Sequence, residues 1–263
     1  EYPGRLKNIY DPPCLLYIRG HLPSFDEEAA VAVVGTRGCT PYGVACAERL
    51  GYGLASAGAV VVSGLARGID AAASRGALLA GGIAVGVAGC GLDVYYPAEN
   101  RGLYEDIAAA GALLSEYPPG ARPDGRHFPV RNRILSGLSV ATLVVEAPER
   151  SGAHITAGTA LEQGRDVFAV PGPIDAPASA GCNRLIQEGA GLVTEAWDLL
   201  REYAERFPAK LHREEAREIP RTLGYQARQK KEEPRLVPPS ASAAELGLTD
   251  DQIVLLRLLD AEE

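Results

Sequence analysis

The sequence predicts an α/β fold built on a parallel sheet with helices on both faces. Three observations carry this: short apolar runs rich in Val and Ile recur, a longer amphipathic stretch follows each one, and Gly-bearing turns stand at the junctions. Such alternation is the pattern of consecutive βα units. With 263 residues, 46% hydrophobic and 23% charged, the chain can bury one large core and carry a small appendage.

In chain order, strands are expected over residues 31–35, 59–63, 83–88, 112–116, 140–147, 166–171 and, on a weaker pattern, 191–194. Helical periodicity falls at 42–55, 69–79, 102–109, 155–163 and 183–188, and a helix over 197–206 closes the core. From about Pro208 the apolar period is lost, charges crowd together, and Pro220, Pro234, Pro238 and Pro239 interrupt any regular element. This gives a core over 1–207, a linker over 208–248 and the start of a second small unit over 249–263. There Thr249-Asp250-Asp251-Gln252 has the form of a capping box, with Ile253, Leu256 and Leu259 on one helical face. A lone amphipathic helix packing back on the core fits that pattern equally.

Several function classes are disfavoured at once. The uncharged stretch 76–92 approaches membrane-span length, but Gly81, Gly82, Gly86, Gly89 and Gly91 break it into helix, turn and strand. No basic segment followed by an apolar run and a small-residue cleavage site opens the chain. The five cysteines (Cys14, Cys39, Cys46, Cys90, Cys182) are odd in number and scattered, which disfavours a disulfide framework and a zinc site. The expected setting is the reducing cytosol, with no membrane and no metal. A net charge of -8 means that any nucleic-acid site must be a local patch. Because the chain opens on Glu1 and contains no Met, it is expected to be part of a longer product.

Two turns are placed to meet an anion. The strand ending at Gly35-Thr36-Arg37-Gly38 runs directly into a helix, so backbone amides and the positive helix end face the sheet's carboxyl edge. A tight structural turn explains Gly35 to Gly38 equally well. Ser63-Gly64-Leu65-Ala66-Arg67-Gly68-Ile69-Asp70 repeats the arrangement, with Arg67 able to reach a phosphate and Asp70 read as a cap. Neither turn completes G-x-G-x-x-G, and no Gly-Lys-Ser or Gly-Lys-Thr occurs, so neither a dinucleotide cofactor nor ATP is expected.

Residues 122–136 hold Arg122, Arg126, Arg131 and Arg133 against one acid, Asp124, with His127 and Phe128 among them: a local +3 in an acidic chain. Cations for phosphates and a ring for a base are what a single-stranded nucleic-acid site requires. A solvated loop with Phe128 tucked into the core accounts for the spacing as well.

Phe128-Pro129-Val130-Arg131-Asn132-Arg133-Ile134, the turn from Ser63 to Asp70, Ser151-Gly152-Ala153-His154-Ile155-Thr156-Ala157 and Val170-Pro171-Gly172 resemble, in order, the signature blocks of the DNA-processing protein A (DprA, Smf) family. Tyr2-Pro3, Pro13 to Gly20 and Tyr96-Pro97 match its pattern too, and the likeness spans roughly 2–200. The resemblance implies an extended Rossmann-like fold that binds single-stranded DNA, forms a homodimer and loads the recombinase RecA in natural transformation, without being an enzyme. It also implies a winged-helix-like identity for the unit beginning near Thr249. By the same resemblance Arg67, Phe128, Arg131, Asn132 and Arg133 are DNA-binding candidates, with Ser63, Gly64 and Gly68 in the second turn and Gly35, Thr36 and Arg37 on the same edge. Ser74 departs from the family, whose members usually carry His there. The apolar Leu192, Val193, Leu199 and Leu200 are the expected dimer contacts.

One enzymatic class competes. Gly158-Thr159-Ala160-Leu161-Glu162 resembles the Gly-Thr-x-x-Glu block of phosphoribohydrolases that cleave nucleoside monophosphates, though the companion Pro-Gly-Gly is missing. Four histidines give no triad without distances, and His154 reads as the support of a turn. From the absent nucleotide motifs, the repurified chain is expected to hydrolyse no ATP and to carry no NAD; stoichiometric NAD in the ultraviolet spectrum would contradict this.

Overall fold

Short runs, Val-rich in β2 to β4, form the strands: β1 (Tyr17–Gly20), β2 (Ala30–Val34), β3 (Val60–Ser63), β4 (Ala84–Ala88), β5 (Ala112–Ser115), β6 (Ala141–Val144), β7 (Asp166–Ala169) and β8 (Gly191–Leu192). In the computed structural model, which describes residues 2–213, they lie in one sheet of order β1-β5-β4-β3-β2-β6-β7-β8. Every neighbouring pair is parallel except β1 with β5. The fold is therefore the Rossmann-like α/β arrangement expected. The helix expected over 249–263 and the linker from 214 onward lie outside the described residues.

Helices α1 (Gly4–Lys7), α2 (Pro41–Ser56), α3 (Ile69–Leu79), α4 (Arg101–Ala110), α5 (His127–Leu138), α6 (Gly152–Glu162), α7 (Ala180–Gln187) and α8 (Ala196–Leu200) cover the sheet. The side-chain period of two along β2 shows how. Val31 and Val33 join Leu50, Leu54, Ile69, Tyr104 and Leu199 in one core, whereas Ala30, Ala32 and Val34 join Leu6, Ile134, Leu135, Ala157 and Leu185 in the other. A central strand buried on both faces reads as a continuous apolar run, which is why it was visible in the sequence.

Three elements were not expected, the one-turn α1 among them. β1 is a four-residue antiparallel edge strand whose residues alternate between half-buried and exposed, so it carries too little apolar signal. α5 occupies most of the segment read as a basic loop. Its inward face consists of Arg131, Ile134, Leu135 and Leu138, and the buried arginine hides the period of 3.6.

Other boundaries moved. The closing helix α8 ends at Leu200 and continues as a 3₁₀ turn, Arg201–Tyr203. Past the expected core boundary at Phe207, Leu211 is buried, the His212 amide donates to the Ala57 carbonyl at 3.0 Å, and Lys210 pairs with Glu28 at 2.5 Å. Of the four expected dimer contacts, Val193, Leu199 and Leu200 are buried in the protein's own core, leaving Leu192 exposed. Apolar residues near the end of a βα fold pack inward first, because the last helix must still cover the sheet. Among the described residues, no helix is long and apolar enough to cross a membrane.

Helices α2 and α3 touch through their backbones. A Cβ on Gly51 would lie 2.2 Å from the Ala73 carbonyl oxygen, and one on Gly76 would lie 2.1 Å from that of Glu48. Gly51→Leu therefore has to push the two helices apart. It is expected to lower stability by about 1–3 kcal/mol or more, read as a lower melting temperature, whereas the same change at Gly158, with open space around it, should cost far less.

Candidate nucleic-acid interface

The chain runs outward from β2 in two directions, to β3 on one side and β6 on the other. Loops leaving the carboxyl ends of these strands diverge, and a crevice opens between them. Here it is a cleft of about 540 Å³. Its walls include Gly35, Thr36 and Arg37 after β2, Ala66 and Asp70 after β3, Phe128, Arg131 and Asn132 of α5, and Arg150, Ser151 and Gly152 after β6.

The floor holds two buried groups of opposite charge, each hydrogen-bonded to backbone rather than to the other. Asp70 accepts from the Gly64 amide at 3.1 Å and from the Ala66 amide, closing the second turn rather than capping α3. Arg131 is 4% exposed; its Nη1 donates to the Gly64 carbonyl at 2.7 Å and to the Val87 carbonyl. Burial pushes the Asp70 carboxyl up, while the Arg131 guanidinium and the two amides pull it down. Burial lowers Arg131 and Asp70 opposes the shift. Gly64 is required because a Cβ there would meet Arg131 Nη2 at 2.6 Å. Gly68, at φ +74°, lets the second turn lie against the first, where a Cβ would be 2.5 Å from the Thr36 carbonyl oxygen. Ser74, in place of the family's usual His, is buried on α3 and donates to the Asp70 carbonyl at 2.9 Å.

The first turn needs a correction. The amino end of α2 was expected to face a phosphate, but the carboxylate of Glu146 already sits there. Glu146 is 2% exposed, its Oε2 accepts from the Thr40 amide at 2.7 Å, and its Oε1 accepts from Thr40 Oγ1 at 2.5 Å. The Thr36 amide is likewise spent on the Glu146 carbonyl at 2.7 Å. The helix dipole is met from inside the protein.

Several further candidates are structural. Arg131 is not an open phosphate contact, because its guanidinium is consumed by buried carbonyls. Arg133 is pinned between Glu116 at 2.7 Å and Asp11 at 3.1 Å, with its side chain 13% exposed. Ser63 is buried and donates to the Val33 carbonyl at 2.7 Å, and Gly64 is buried beneath Arg131. Asn132 is half-buried, lines the cleft and accepts from Arg131 Nε at 3.3 Å. Gly35 is a close approach, since a Cβ would lie 2.5 Å from Ile69 Cγ1.

The remaining candidates converge. The exposed Arg37 guanidinium lies 4.9 Å from the centroid of Phe128, whose ring stacks on Tyr96 with centroids 5.5 Å apart and planes at 26°. Arg67 stands beside them, its side chain 61% exposed, in a two-point ion pair with Glu99. The Glu99 hydrogen bonds raise the Arg67 guanidinium and lower the Glu99 carboxyl. Sequence reasoning missed two members of this surface. Tyr96 precedes Pro97 with no periodic signal, but Arg150 and the opening of α6 repeat the strand-to-helix logic applied to the first two turns. As expected, His154 supports a turn, donating from Nε2 to the Pro148 carbonyl at 3.2 Å.

The model of the family described as DNA recombination-mediator protein A matches residues 1–204. The chain belongs to this family. The DNA processing protein DprA of Streptococcus pneumoniae is 48% identical over 202 residues, which are 77% of this chain and 71% of that one. Its crystal structure superposes with a TM-score of 0.73 over 76% of this chain and 70% of that one. A second solved member, DNA processing protein A from Helicobacter pylori, was described for its single-stranded DNA binding mode; it is 30% identical, with a TM-score of 0.71 over 81% of this chain and 95% of that one. A molybdenum cofactor binding protein from Rippkaea orientalis, 16% identical with a TM-score of 0.50, shares the fold alone.

Arg131 is the test of how the floor is held. Arg131→Met leaves Asp70 buried without its counter-charge and two carbonyls without a donor. A loss of about 3–5 kcal/mol in chemical denaturation is expected, and a variant as stable as the parent would show that the pair is dispensable.

Proposed function

We propose that the cleft and the adjoining Arg37–Phe128–Tyr96 stack bind single-stranded DNA. The observation that carries this reading is the meeting of stacked rings with two exposed guanidinia, Arg37 and Arg67, at the point where the strand order reverses. Bases stack on rings without regard to sequence, and guanidinia pair with the phosphates between them. Phe128 already contacts the Tyr96 ring and the Arg37 guanidinium, so an incoming base takes the place of the Arg37 guanidinium or adds to Tyr96, which is 40% exposed. Arg37 is then released to a phosphate. The described binding mode of the H. pylori protein supports the same ligand.

The hand-off to the RecA recombinase, implied by resemblance to the family, belongs to the same proposal; it predicts faster filament assembly on coated single strands in the protein's presence. The phosphoribohydrolase reading gains no support from geometry. Glu162 is exposed at the last position of α6, about 15 Å along the helix from the cleft-lining Gly152.

Salt dependence separates the roles. Each phosphate contact contributes a slope of about -0.7 in log affinity against log salt for a single strand, so Arg67→Ala should flatten the slope by about that amount. Phe128→Ala should instead lose about 1–3 kcal/mol with the slope nearly kept. Folded variants that bind as the parent does at every salt concentration would refute the site. The pairing of Arg67 with Glu99 yields a further expectation: the carboxylate occupies the fork that a phosphate would take, so Glu99→Gln should tighten binding, most at low salt. Unchanged affinity in that variant would show that Arg67 does not meet the strand.

A further inference from the structure

A second cationic cavity, of about 450 Å³, lies at the opposite edge of the sheet. Arg5, Arg165 and Arg206 line it, together with Gln163 and Asp26. Its position follows from the topology. Arg165 immediately precedes β7, and the carbonyls that fix Arg5 belong to Glu28 and Leu138, shortly before β2 and β6. These are amino ends of strands, whereas the candidate DNA cleft lies at the carboxyl ends.

Three guanidinia gather here with little to offset them. Arg5 is 6% exposed; its Nη1 and Nη2 each donate to a backbone carbonyl at 3.1 Å, which orients the group without neutralising it. Arg5 and Arg206 both sit by the ring of Phe207, at 5.9 and 5.2 Å from its centroid. Arg165 Nη2 donates to the Arg5 carbonyl at 3.1 Å, and its buried Nε has no acceptor. The carboxylate in the wall, Asp26, is engaged by the Gly4 and Arg5 amides at 2.7 and 2.8 Å. Among the described residues, none of the three arginines has a carboxylate within ion-pair distance. Burial, then Arg206 and Arg165, bring Arg5 down to about 10 against the opposing pull of Asp26, and burial with Arg206 lowers Arg165. Like charges held together in a partly dry pocket are stabilised by any anion that enters it.

The wall also holds an unpartnered acceptor, Gln163 Oε1, whose amide nitrogen is fixed on the Arg133 carbonyl at 3.0 Å. An anion that also carries a proton satisfies both kinds of group. We propose that this pocket binds a phosphate group, either inorganic phosphate or the phosphomonoester of a nucleotide. The guanidinia of Arg165 and Arg206 pair with its oxygens while Arg5, held on its carbonyls, adds charge from beneath, and the P–OH of the monoprotonated form donates to Gln163. Sulfate lacks that donor at neutral pH.

The test uses the chain as it stands. Arginine Nε–Hε resonances are followed by ¹H–¹⁵N spectroscopy, with Arg165 and Arg206 assigned by Arg165→Gln and Arg206→Gln. Inorganic phosphate, sulfate, thymidine 5′-monophosphate and thymidine are titrated at constant ionic strength. Phosphate and the nucleotide should both shift the two resonances and thymidine should not. The tighter of the two binders identifies the source. In calorimetry, Arg206→Gln should weaken phosphate binding at this pocket about tenfold. Arg206 is exposed, so this variant remains informative if Arg165→Gln fails to fold. Resonances that do not move, an equal response to sulfate, or unchanged affinity in Arg206→Gln would each overturn the assignment. Single-strand binding by Arg206→Gln should match that of the parent, which keeps this site separable from the cleft.

Discussion

A buried guanidinium must be surrounded by acceptors, and much of the cleft is arranged to meet that demand for Arg131. An isolated charge of this kind costs several kcal/mol to remove from water, so it persists only with partners on every side. Here the partners are the carbonyls of Gly64 and Val87 and the charge of Asp70. Between them they fix the turn after β3, the end of β4 and the first turns of α5. The cleft-lining groups above, Arg37, Phe128 and Asn132, inherit their positions from this layer. The surface proposed to hold a flexible polymer is thus carried on a buried polar floor.

That division explains what was legible in the sequence. Val-rich strands and Gly-bearing turns announce themselves because backbone geometry restricts which residues can stand there. The seven parallel strands and the two turns were read this way. Whether an arginine faces water or a carbonyl is a tertiary fact. Arg131 and Arg133 are separated by one residue in the most basic stretch of the chain, yet one is buried on carbonyls and the other is locked between acids, whereas Arg37, in the first Gly-bearing turn, is exposed beside the ring of Phe128. Composition counted these charges correctly and said nothing of how they are used. The same limit hid α5, whose inward face carries a cation, and Tyr96, whose importance lies in the ring it stacks on.

Charge is also distributed with an economy that the net value of -8 conceals. Exposed acids such as Glu99 stand next to exposed bases such as Arg67, so the surface offers weak, replaceable pairs. An anionic polymer can exchange for such a carboxylate at little cost. Buried acids such as Glu146 cannot be exchanged, because their hydrogen bonds are part of the fold.

Glu146 also changes what the crevice can admit. In related architectures the space ahead of the helix after the first parallel strand is left vacant for the pyrophosphate of a cofactor. Here the polypeptide supplies its own tenant from the end of the neighbouring strand. A diffusible cofactor would have to evict a carboxylate that Thr40 grips twice and that Gly43, lacking a Cβ, leaves room for. The crevice is thereby filled by a carboxylate at its centre and left open along its rim.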